Sequence, residues 1–458
     1  ESQGKILVQD GNHGENRPRK SEFDDRGVSF IRAADFSGST VSFHAAEKIN
    51  ETAFRRIRKG IGRDLDTILS TKGTVGKIAF VPEGSPRFVC SPQTSFWRSL
   101  DGEFLLPEFL YYEMQSKFFV DQIRSRQGET DMAAYLSLTS QRGMFIRVPD
   151  IETQKKVIRG LSCLDKKVEI NKSINKTLEK LAQTIFKSWF VDFDPVKAKT
   201  AVMQTGGSEE DALISAMQAM SGKARAEIIR LKVEQPEQYT DLRATADLFP
   251  VAMQDSELGR IPAGWQCLAL DCMAKYKNGL ALQKFPPENE DDCLPVVKIA
   301  QLRRGYTDGE ENASLKINPE CIIDDGDVVF SWSGSLMVDT WCGGKAALNQ
   351  HLFKVTSEVY PKWLYFHFTR HHLEEFQRIA ADKAVTMGHI KREHLKRAMC
   401  AVPDKSLIEK AGRTLGNILS QQIARRIESK TLTELRDSLL PQLLSGELNV
   451  MNPVALSD

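Results

Sequence analysis

The hexapeptide PEFLYY (107–112) is matched by PKWLYF (361–366), which lies 254 positions further along the chain. Two shorter segments keep the same shift, namely VPD (148–150 and 402–404) and TL (177–178 and 431–432). A constant offset over so long a stretch indicates an internal repeat, and such a repeat dictates the architecture. We therefore predict that the chain is a tandem duplication.

The match continues upstream with small changes in length, as expected when loops differ between two copies of one fold. The paired segments are DTILSTKG (66–73) with DVVFSWSG (327–334), SPQTSF (91–96) with LNQHLF (348–353), and FIRAADFSG (30–38) with VKIAQLRRG (297–305). The second pairing places Gln93 opposite Gln350 and Thr94 opposite His351. Each half is thus predicted to consist of a β-rich segment followed by a helical one.

Periodicity supports this division of each half. Runs rich in β-branched and aromatic residues at 67–70 and 328–331 predict strands that end at glycine-containing turns. From 151 to about 190 the apolar positions alternate steps of three and four, which is the spacing of a coiled coil. Two positions of that stripe, Asn171 and Asn175, are polar and would fix the register. The second copy, 407–444, carries a more dilute stripe.

The predicted fold class is α+β, with two tandem, mixed, mainly β domains. Each is followed by a long helix, and the two helices pack as an antiparallel coiled coil, which gives a pseudo-twofold internal repeat. The predicted segments are a first domain (1–150), a first helix (151–190), a linker with a helical insert (191–259), a second domain (260–403), and a second helix with a tail (404–458). A plain coiled-coil spacer is the alternative reading of the helices.

Bulk composition narrows the class of protein. The chain has 458 residues, of which 41% are hydrophobic and 27% charged, and its formal net charge is +1. These values are typical of soluble proteins, and the longest apolar runs fall far short of a membrane span. The eight cysteines show no metal-ligand or disulfide spacing, so we expect a reducing cytoplasm and no membrane association.

Motifs for nuclease, nucleotide-binding and amino-methyltransferase activity are absent from the sequence. A nuclease needs clustered carboxylates with a lysine, but Gln154 stands where the lysine should follow Asp150 and Glu152. A nucleotide-binding loop needs Gly-Lys followed by Ser or Thr, and every Gly-Lys pair here is followed by Ile or Ala. The only Pro-Pro pair follows Phe285, which does not fit an amino-methyltransferase motif. The chain is therefore predicted to perform no catalysis itself.

Several segments resemble one family in the order in which they occur. SWFVDFD (188–194), ADLFP (246–250) and SELGRIPAGW (256–265) resemble the central region of the specificity subunits of type I restriction-modification systems. LRDSLLPQLLSGEL (435–448) resembles the C-terminal region of that family, and DGNHGE (10–15) resembles a motif in some of its target recognition domains. The second half opens with IPAGWQCLAL (261–270), whereas nine residues precede Asp10, so we expect the natural N-terminus to lie upstream of Glu1.

The resemblance implies a function. Each target recognition domain would read one half of a bipartite site in double-stranded DNA, and the helices would act as a ruler between the half-sites. The helices would also bind two methyltransferase subunits, and through them two restriction (translocase) subunits. S-adenosylmethionine, ATP and Mg²⁺ would be used by those partners, with no cofactor, metal or catalytic residue in this chain. Half-sites on one face of B-DNA lie roughly 34 Å apart, and forty helical residues span roughly 60 Å.

Candidate DNA contacts are polar or glycine residues of the matched loops, because Arg, Lys, Asn, Gln, Ser and Thr can bond base edges and phosphates. In the first half they are Asn12, His13, Arg55, Arg56, Arg58, Thr71, Lys72, Gly73, Thr74, Lys77, Gln93, Thr94, Arg124 and Arg126. In the second half they are Ser331, Ser333, Gly334, Ser335, Gln350, His351, Lys383 and Thr386. Arg124 and Arg126, like Lys383 and Thr386, are expected on a loop between two patterned segments. Ordinary polar turns, backbone caps and solvated charges are the competing interpretations.

Two other functions compete with a restricting assembly. The chain could serve a methylation-only or other phage-defence assembly, or it could be a coiled-coil scaffold that does not bind DNA. Binding to a random pool of bipartite DNA separates the scaffold from the DNA reader.

Overall fold

The computed structural model describes residues 4–127, 134–289, 291–307, 309–382 and 388–445. The architecture is mixed α+β and divides into two compact units. The first comprises Glu1–Ile170 with Thr431–Asp458, and the second is Asn171–Lys430. Each unit therefore comprises a β-rich region and part of each long helix. The boundaries between the units fall inside the predicted helical segments.

In the first unit, turns rich in Gly, Asp and Ser separate short strands. The described strands are β1 (Ile6–Asp10), β2 (Phe23–Asp24), β3 (Val28–Ile31), β4 (Phe36–Ser37), β5 (Thr40–Val41), β6 (Lys48–Ile49), β7 (Ile61–Gly62), β8 (Thr67–Ser70), β9 (Ile78–Phe80), β10 (Phe88–Cys90) and β11 (Thr94–Ser99). The helices that lie wholly in it are α1 (Glu51–Arg56), α2 (Pro107–Gln115), α3 (Lys117–Arg126) and α4 (Leu138–Arg142). Helix α5 (Ile151–Phe190) starts here and continues into the second unit.

The strands of the first unit form two sheets. One has the order β1-β11-β8-β9-β5-β4 and the other the order β2-β6-β3-β10-β7. Strands β3 and β10 are parallel, and Cys90 lies opposite Ile31. Buried Ile31, Ile68 and Phe96 belong to one apolar cluster that joins the two sheets.

Helix segments close the other side of this unit. Val157 and Leu161 of α5 share a buried cluster with Leu440 and Leu443 of α15 (Lys405–Ser445). In the same unit Arg436 Nη1 donates to Asp165 Oδ1 at 2.9 Å, and Tyr112 Oη donates to Asp165 Oδ2 at 2.9 Å.

Removing Arg436 is expected to destabilise the first unit, because the Asp165 carboxylate is only 13% exposed and would lose its cation. Arg436→Ala should cost on the order of 3 kcal/mol of the free energy of unfolding. Lys405→Ala on the same helix is the control, since that lysine is 89% exposed. Urea unfolding followed by circular dichroism measures both variants, and equal midpoints would contradict a structural role for the ion pair.

The second unit contains the remaining elements. Its strands are β12 (Met253–Ser256), β13 (Gly259–Pro262), β14 (Gln266–Ala269), β15 (Lys275–Asn278), β16 (Cys293–Val297), β17 (Asn312–Ser314), β18 (Ile322–Ile323), β19 (Val328–Ser331), β20 (Met337–Thr340), β21 (Ala346–Leu348), β22 (Leu352–Thr356) and β23 (Met399–Val402). Its helices besides α5 and α15 are α6 (Asp194–Gln204), α7 (Glu209–Ser221), α8 (Arg225–Glu234), α9 (Pro236–Asp247), α10 (Leu270–Met273), α11 (Ile299–Arg304), α12 (Lys362–His371), α13 (Leu373–Asp382) and α14 (Arg392–Arg397).

Two four-stranded sheets form the body of the second unit, with the orders β15-β22-β19-β20 and β17-β16-β21-β18. Strands β16 and β21 are parallel, as β3 and β10 are in the first unit. Two further pairs, β12-β13 and β14-β23, lie outside these sheets.

The region predicted as a linker with a helical insert is helical over most of its length. Helices α7 to α9 bury a cluster of their own that includes Met217, Ile228 and Tyr239, whereas Val196 of α6 packs into the main apolar cluster of the second unit. The apolar residues of this region are spread over four separate short helices, so the sequence pattern predicts an insert and not a packed unit. The segment is therefore a packed helical subdomain of the second unit.

Within the second unit, segments of α5 and α15 contact each other through polar side chains. Asn171 Nδ2 donates to Glu428 Oε2 at 2.8 Å, and Asn175 Nδ2 donates to the Gln422 carbonyl at 3.1 Å. Higher residue numbers on one helix face lower numbers on the other, so the two segments run in opposite directions. Arg426 attaches α15 to β20 through Asp339, with a closest contact of 2.8 Å.

Two buried histidines are expected to make the second unit sensitive to acid. Burial lowers the pKa of His367 to about 3 and that of His372 to about 4. The His367 ring stacks on Phe186 with a centroid distance of 5.1 Å. The unfolded chain takes up protons below about pH 6.5, whereas the folded chain does not, so stability falls as the pH drops from about 6.5 towards 4.

At pH 5 each of these histidines should cost about 2 kcal/mol of the free energy of unfolding relative to pH 7. His367→Phe should remove the part of this loss of stability that is due to His367 and leave the part that is due to His372. Urea unfolding of wild type and variant at pH 7 and pH 5 gives the change in free energy of unfolding between the two pH values for each protein. An equal loss of stability in both proteins would show that His367 is not buried in its neutral form.

Within the described ranges, no helix has the length and hydropathy of a transmembrane span.

Candidate nucleic-acid interface

The candidate interface of the first unit is the edge at which the parallel strands β3 and β10 end. Carboxyl ends of parallel strands meet at one edge, and here the Ser91 N–H donates to the Ile31 carbonyl at 2.8 Å. The segment that follows β1 lies at the same edge, because the Asn12 N–H donates to the carbonyl of Cys90, the last residue of β10, at 2.8 Å. We call this the first reading edge, and it comprises residues 10–13, 32, 71–77, 91–94 and 134–136.

The loop that follows β8 is fixed to this edge by backbone hydrogen bonds. The Thr71 N–H donates to the Gln93 carbonyl at 2.8 Å, and the Leu136 N–H donates to the Thr71 carbonyl at 2.9 Å. Gly73 has a φ of 79°, a conformation that favours glycine, and its N–H donates to the Ala134 carbonyl at 3.0 Å. The loop therefore presents Lys72 and Thr74 from a fixed backbone.

The second unit makes the same hydrogen bonds at its own edge, where β16 and β21 end. The Asn349 N–H donates to the Val297 carbonyl at 3.1 Å, and the Leu280 N–H donates to the Leu348 carbonyl at 2.9 Å. The Gly334 N–H donates to the Gly388 carbonyl at 2.8 Å. We call this the second reading edge, and it comprises residues 278–281, 298, 331–336, 349–351 and 388–390.

The matched bonds correct two details of the sequence comparison. Ile31 corresponds to Val297, because their carbonyls accept the Ser91 and Asn349 N–H groups, so the pairing of FIRAADFSG with VKIAQLRRG is wrong by one residue and Arg32 corresponds to Lys298. The second correction concerns the turn before β11 and β22. The Trp332 N–H donates to the His351 carbonyl, as the Thr71 N–H does to Gln93, so His351 occupies the place of Gln93. The strand register agrees, because Thr94 pairs with Ser70 and Leu352 pairs with Ser331. Aligning the phenylalanines of SPQTSF and LNQHLF had placed Gln350 there, and that pairing is wrong by one residue.

Several predicted residues of the first unit have side chains exposed at the first reading edge, namely His13, Lys72, Thr74, Lys77 and Gln93, and Gly73 is exposed there as well. Others are buried: Asn12, Thr71 and Thr94 are at most 2% exposed. Asn12 Nδ2 donates to the Asn16 carbonyl and Thr94 Oγ1 donates to the Ser91 carbonyl, both at 3.1 Å. In this structure these buried residues shape the loops that carry the exposed ones.

The predicted basic run lies at and after the end of α1. Arg55 and Arg58 are exposed, whereas Arg56 is bound by Glu22 at 2.7 Å. Arg124 and Arg126 lie in the last turn of α3, so the prediction of a loop there is wrong. The helix persists because Phe119 and Ile123 bury its apolar face. Arg124 is exposed, and Arg126 Nη2 donates to the Gly143 carbonyl at 3.3 Å.

In the second unit Gly334, Ser335 and Gln350 are exposed at the second reading edge. Ser331 is the last residue of β19 and is buried, with its hydroxyl donating to the Ser333 carbonyl at 3.1 Å. Ser333 is also buried, and its Oγ lies 2.9 Å from His351 Nδ1. Lys383 and Thr386 lie outside the described residues.

Sequence reasoning missed three aromatic residues at these edges. Tyr135 pairs with Lys72 in an isolated β-bridge, and His389 pairs with Ser333 in the same way. Trp332 precedes Ser333 and contacts both His351 and His389, with ring centroids 6.0 and 6.2 Å apart. The signal was available in the repeat, because Tyr135 and His389 lie at the constant shift already found from the hexapeptides.

One acidic group lies among the cations of the first edge. Burial raises the pKa of Asp10, although His13, Arg142 and Lys59 act in the opposite direction. In the described part of the chain, no three His, Cys, Asp or Glu side chains gather as metal ligands would. The exposed side chains of the two edges can form hydrogen bonds and ion pairs.

Comparison with known proteins identifies related chains. The family model described as type I restriction modification DNA specificity domain matches residues 10–180. The specificity subunit of the type I restriction enzyme HindI from Haemophilus influenzae is 28% identical over 389 residues, which cover 81% of this chain and 84% of that protein. The specificity subunit of the type I restriction enzyme MjaIX from Methanocaldococcus jannaschii is 22% identical over 409 residues, covering 86% and 82%.

A crystal structure of a type I restriction-modification S subunit from M. genitalium covers 98% of this chain and 95% of its own at 13% identity, with a TM-score of 0.44. The family model and both sequence relatives point to the same group of proteins. Residues 10–180 thus match the type I restriction modification DNA specificity domain, and the chain is similar over most of its length to specificity subunits of type I restriction enzymes.

Proposed function

We propose that this chain is the DNA-reading subunit of a type I restriction-modification complex. Each reading edge binds one half of a bipartite site in double-stranded DNA. The observation that carries this proposal is the repetition of one edge, built by the same backbone hydrogen bonds in both units. A duplicated reader predicts a site with two parts.

The chemistry of the exposed residues supports DNA as the ligand. Lys72, Lys77 and Gln93 at the first edge can bond phosphates or base edges, and Ser335 and Gln350 can do so at the second. A glycine lies in each of these loops and lets the backbone approach DNA closely. The bases recognised depend on how each edge docks.

The helices supply the second part of the proposal. Segments of α5 and α15 run in opposite directions where they contact each other, which supports an antiparallel coiled coil that spaces the two readers. In this proposal the helices also recruit two methyltransferase subunits, and through them two restriction subunits. S-adenosylmethionine, ATP and Mg²⁺ then act on the partners, and this chain remains non-catalytic.

Selection from a pool of random duplexes tests the proposed function. The purified chain should enrich two short sequences separated by a spacer of fixed length. Lys72→Ala should weaken binding to the enriched duplex, whereas Lys117→Ala should not, because Lys117 lies on α3 and is paired with Asp121. Enrichment of one uninterrupted sequence, or of none, would overturn the proposal.

A further inference from the structure

Each unit has an ion pair at its reading edge that the candidate residues above do not include. Arg32 follows β3 directly and pairs with Glu47, and Lys298 follows β16 directly and pairs with Glu311. The carboxylates occupy matching places, because the Phe30 N–H donates to the Glu47 carbonyl at 2.8 Å and the Val296 N–H to the Glu311 carbonyl at 2.9 Å.

The two pairs also match in exposure. Both cationic side chains are 37% exposed and both carboxylates are 56% exposed. An ion pair this exposed contributes little to the free energy of folding, because solvent screens its charges. Backbone hydrogen bonds already join the strand to its neighbour at this point in each unit. Folding stability is therefore a weak reason for the same charge pair to occur at both edges.

The position of the two cations relates them to the candidate base contacts. Arg32 follows Ile31, whose carbonyl accepts the Ser91 N–H, so it emerges beside the turn that carries Gln93. Lys298 follows Val297, whose carbonyl accepts the Asn349 N–H, so it emerges beside the turn that carries His351.

In the first unit Arg32 lines a cleft of about 480 Å³. The walls of the cleft include Arg17 and Lys20 as further cations, Phe23 and Phe30 as an aromatic side, and Gln93. Glu47 is the one acidic residue among the residues that line it. The positive charges exceed the negative one, which suits a phosphate group.

We propose that Arg32 and Lys298 are phosphate-binding residues of the two reading edges. In the first unit the cleft with Arg17 and Lys20 receives a DNA phosphate next to the base that Gln93 contacts. Glu47 and Glu311 hold the cations at the edge in the DNA-free chain. This inference rests on the proposed function, because it takes duplex DNA as the ligand.

The test is the salt dependence of binding to a duplex that carries the half-sites enriched from the random pool. Each lost phosphate contact reduces the slope of log K against log salt by about 0.9. Arg32→Gln and Lys298→Gln should each reduce the slope by that amount and weaken binding on the order of tenfold, with unchanged sequence preference. Arg32→Lys keeps the charge and should restore the slope.

Arg87→Gln and Lys316→Gln are the matched controls, one in each unit. Arg87 pairs with Glu51 and Lys316 with Glu288, both as exposed ion pairs outside the reading edges. Both controls should keep the wild-type slope. Unchanged slopes for Arg32→Gln and Lys298→Gln, with wild type still selecting a bipartite site, would overturn this inference alone. Failure of wild type to select any site would instead overturn the proposed function.

Discussion

Gly11→Ala is expected to abolish recognition of one half-site and to leave the other intact. A Cβ at Gly11 would lie 1.8 Å from the Ser91 carbonyl oxygen and 2.7 Å from that of Cys90. These contacts are with backbone, so the chain after β1 must move away from the first reading edge. Affinity for the full site should fall at least about 100-fold, or roughly 2.8 kcal/mol, because one or two mismatched base pairs alone cost this much and here a whole half-site is no longer read.

Gly279→Ala is the reciprocal variant in the second unit. Its Cβ would lie 2.2 Å from the Leu348 carbonyl oxygen and 2.4 Å from that of Asn349. Gly279→Ala should lose recognition of the half-site that Gly11→Ala still recognises. Gly102→Ala is the control for both, because nothing lies within 4 Å of its added Cβ.

The measurement is binding to duplexes in which one half-site or the other is scrambled. Each glycine variant should become insensitive to scrambling of one half-site and remain sensitive to scrambling of the other. If both variants lost both half-sites to the same degree, the two edges would not be separate readers.

The sequence predicts some features of this molecule well, because repetition and helical periodicity are long-range signals. The hexapeptide match located the corresponding segments of both halves, including the helices α2 and α12. The stripe from Leu161 to Trp189 predicted a long helix, and α5 is that helix. Signals of this kind survive because they are summed over many residues.

Local features were harder to predict, since they depend on tertiary contacts. The offset by one residue between Gln93 and His351 arises in a turn, where backbone hydrogen bonds and not residue types set the alignment. Burial of Asn12 and Thr94 also depends on neighbours distant in sequence, such as Cys90 and Ile31. The pair of Arg32 and Glu47 could be found only once β3 and β6 were placed side by side.

Lengthening both long helices together should lengthen the spacer between the half-sites. The boundary between the two units falls after Ile170 in α5 and after Lys430 in α15, so four residues added at each of these two points leave contacts of α15 within the second unit, such as Arg426 with Asp339, in place. Each insertion adds about 6 Å and slightly more than one turn, so the contacting faces nearly keep their alignment. B-DNA rises about 3.4 Å per base pair, so the preferred spacer should grow by one or two base pairs.

Selection from the random pool measures the length of the DNA spacer that the double-insertion variant prefers. Four residues inserted after Gly206 are the control, because that glycine lies in an exposed turn between α6 and α7. The control should keep the original spacer. A double-insertion chain that still binds DNA with the original spacer would show that the helices do not set the distance.

The independence of the two reading edges is tested most directly by a chimera. Residues 274–391 carry the second reading edge and leave the β14-β23 pair intact. Replacing them with the corresponding segment of a family member of different specificity, and then selecting from the random pool, reveals the new site. If each edge reads its own half-site, one half-site changes, and the other half-site and the spacer remain as in wild type. A change in both half-sites would contradict this independence.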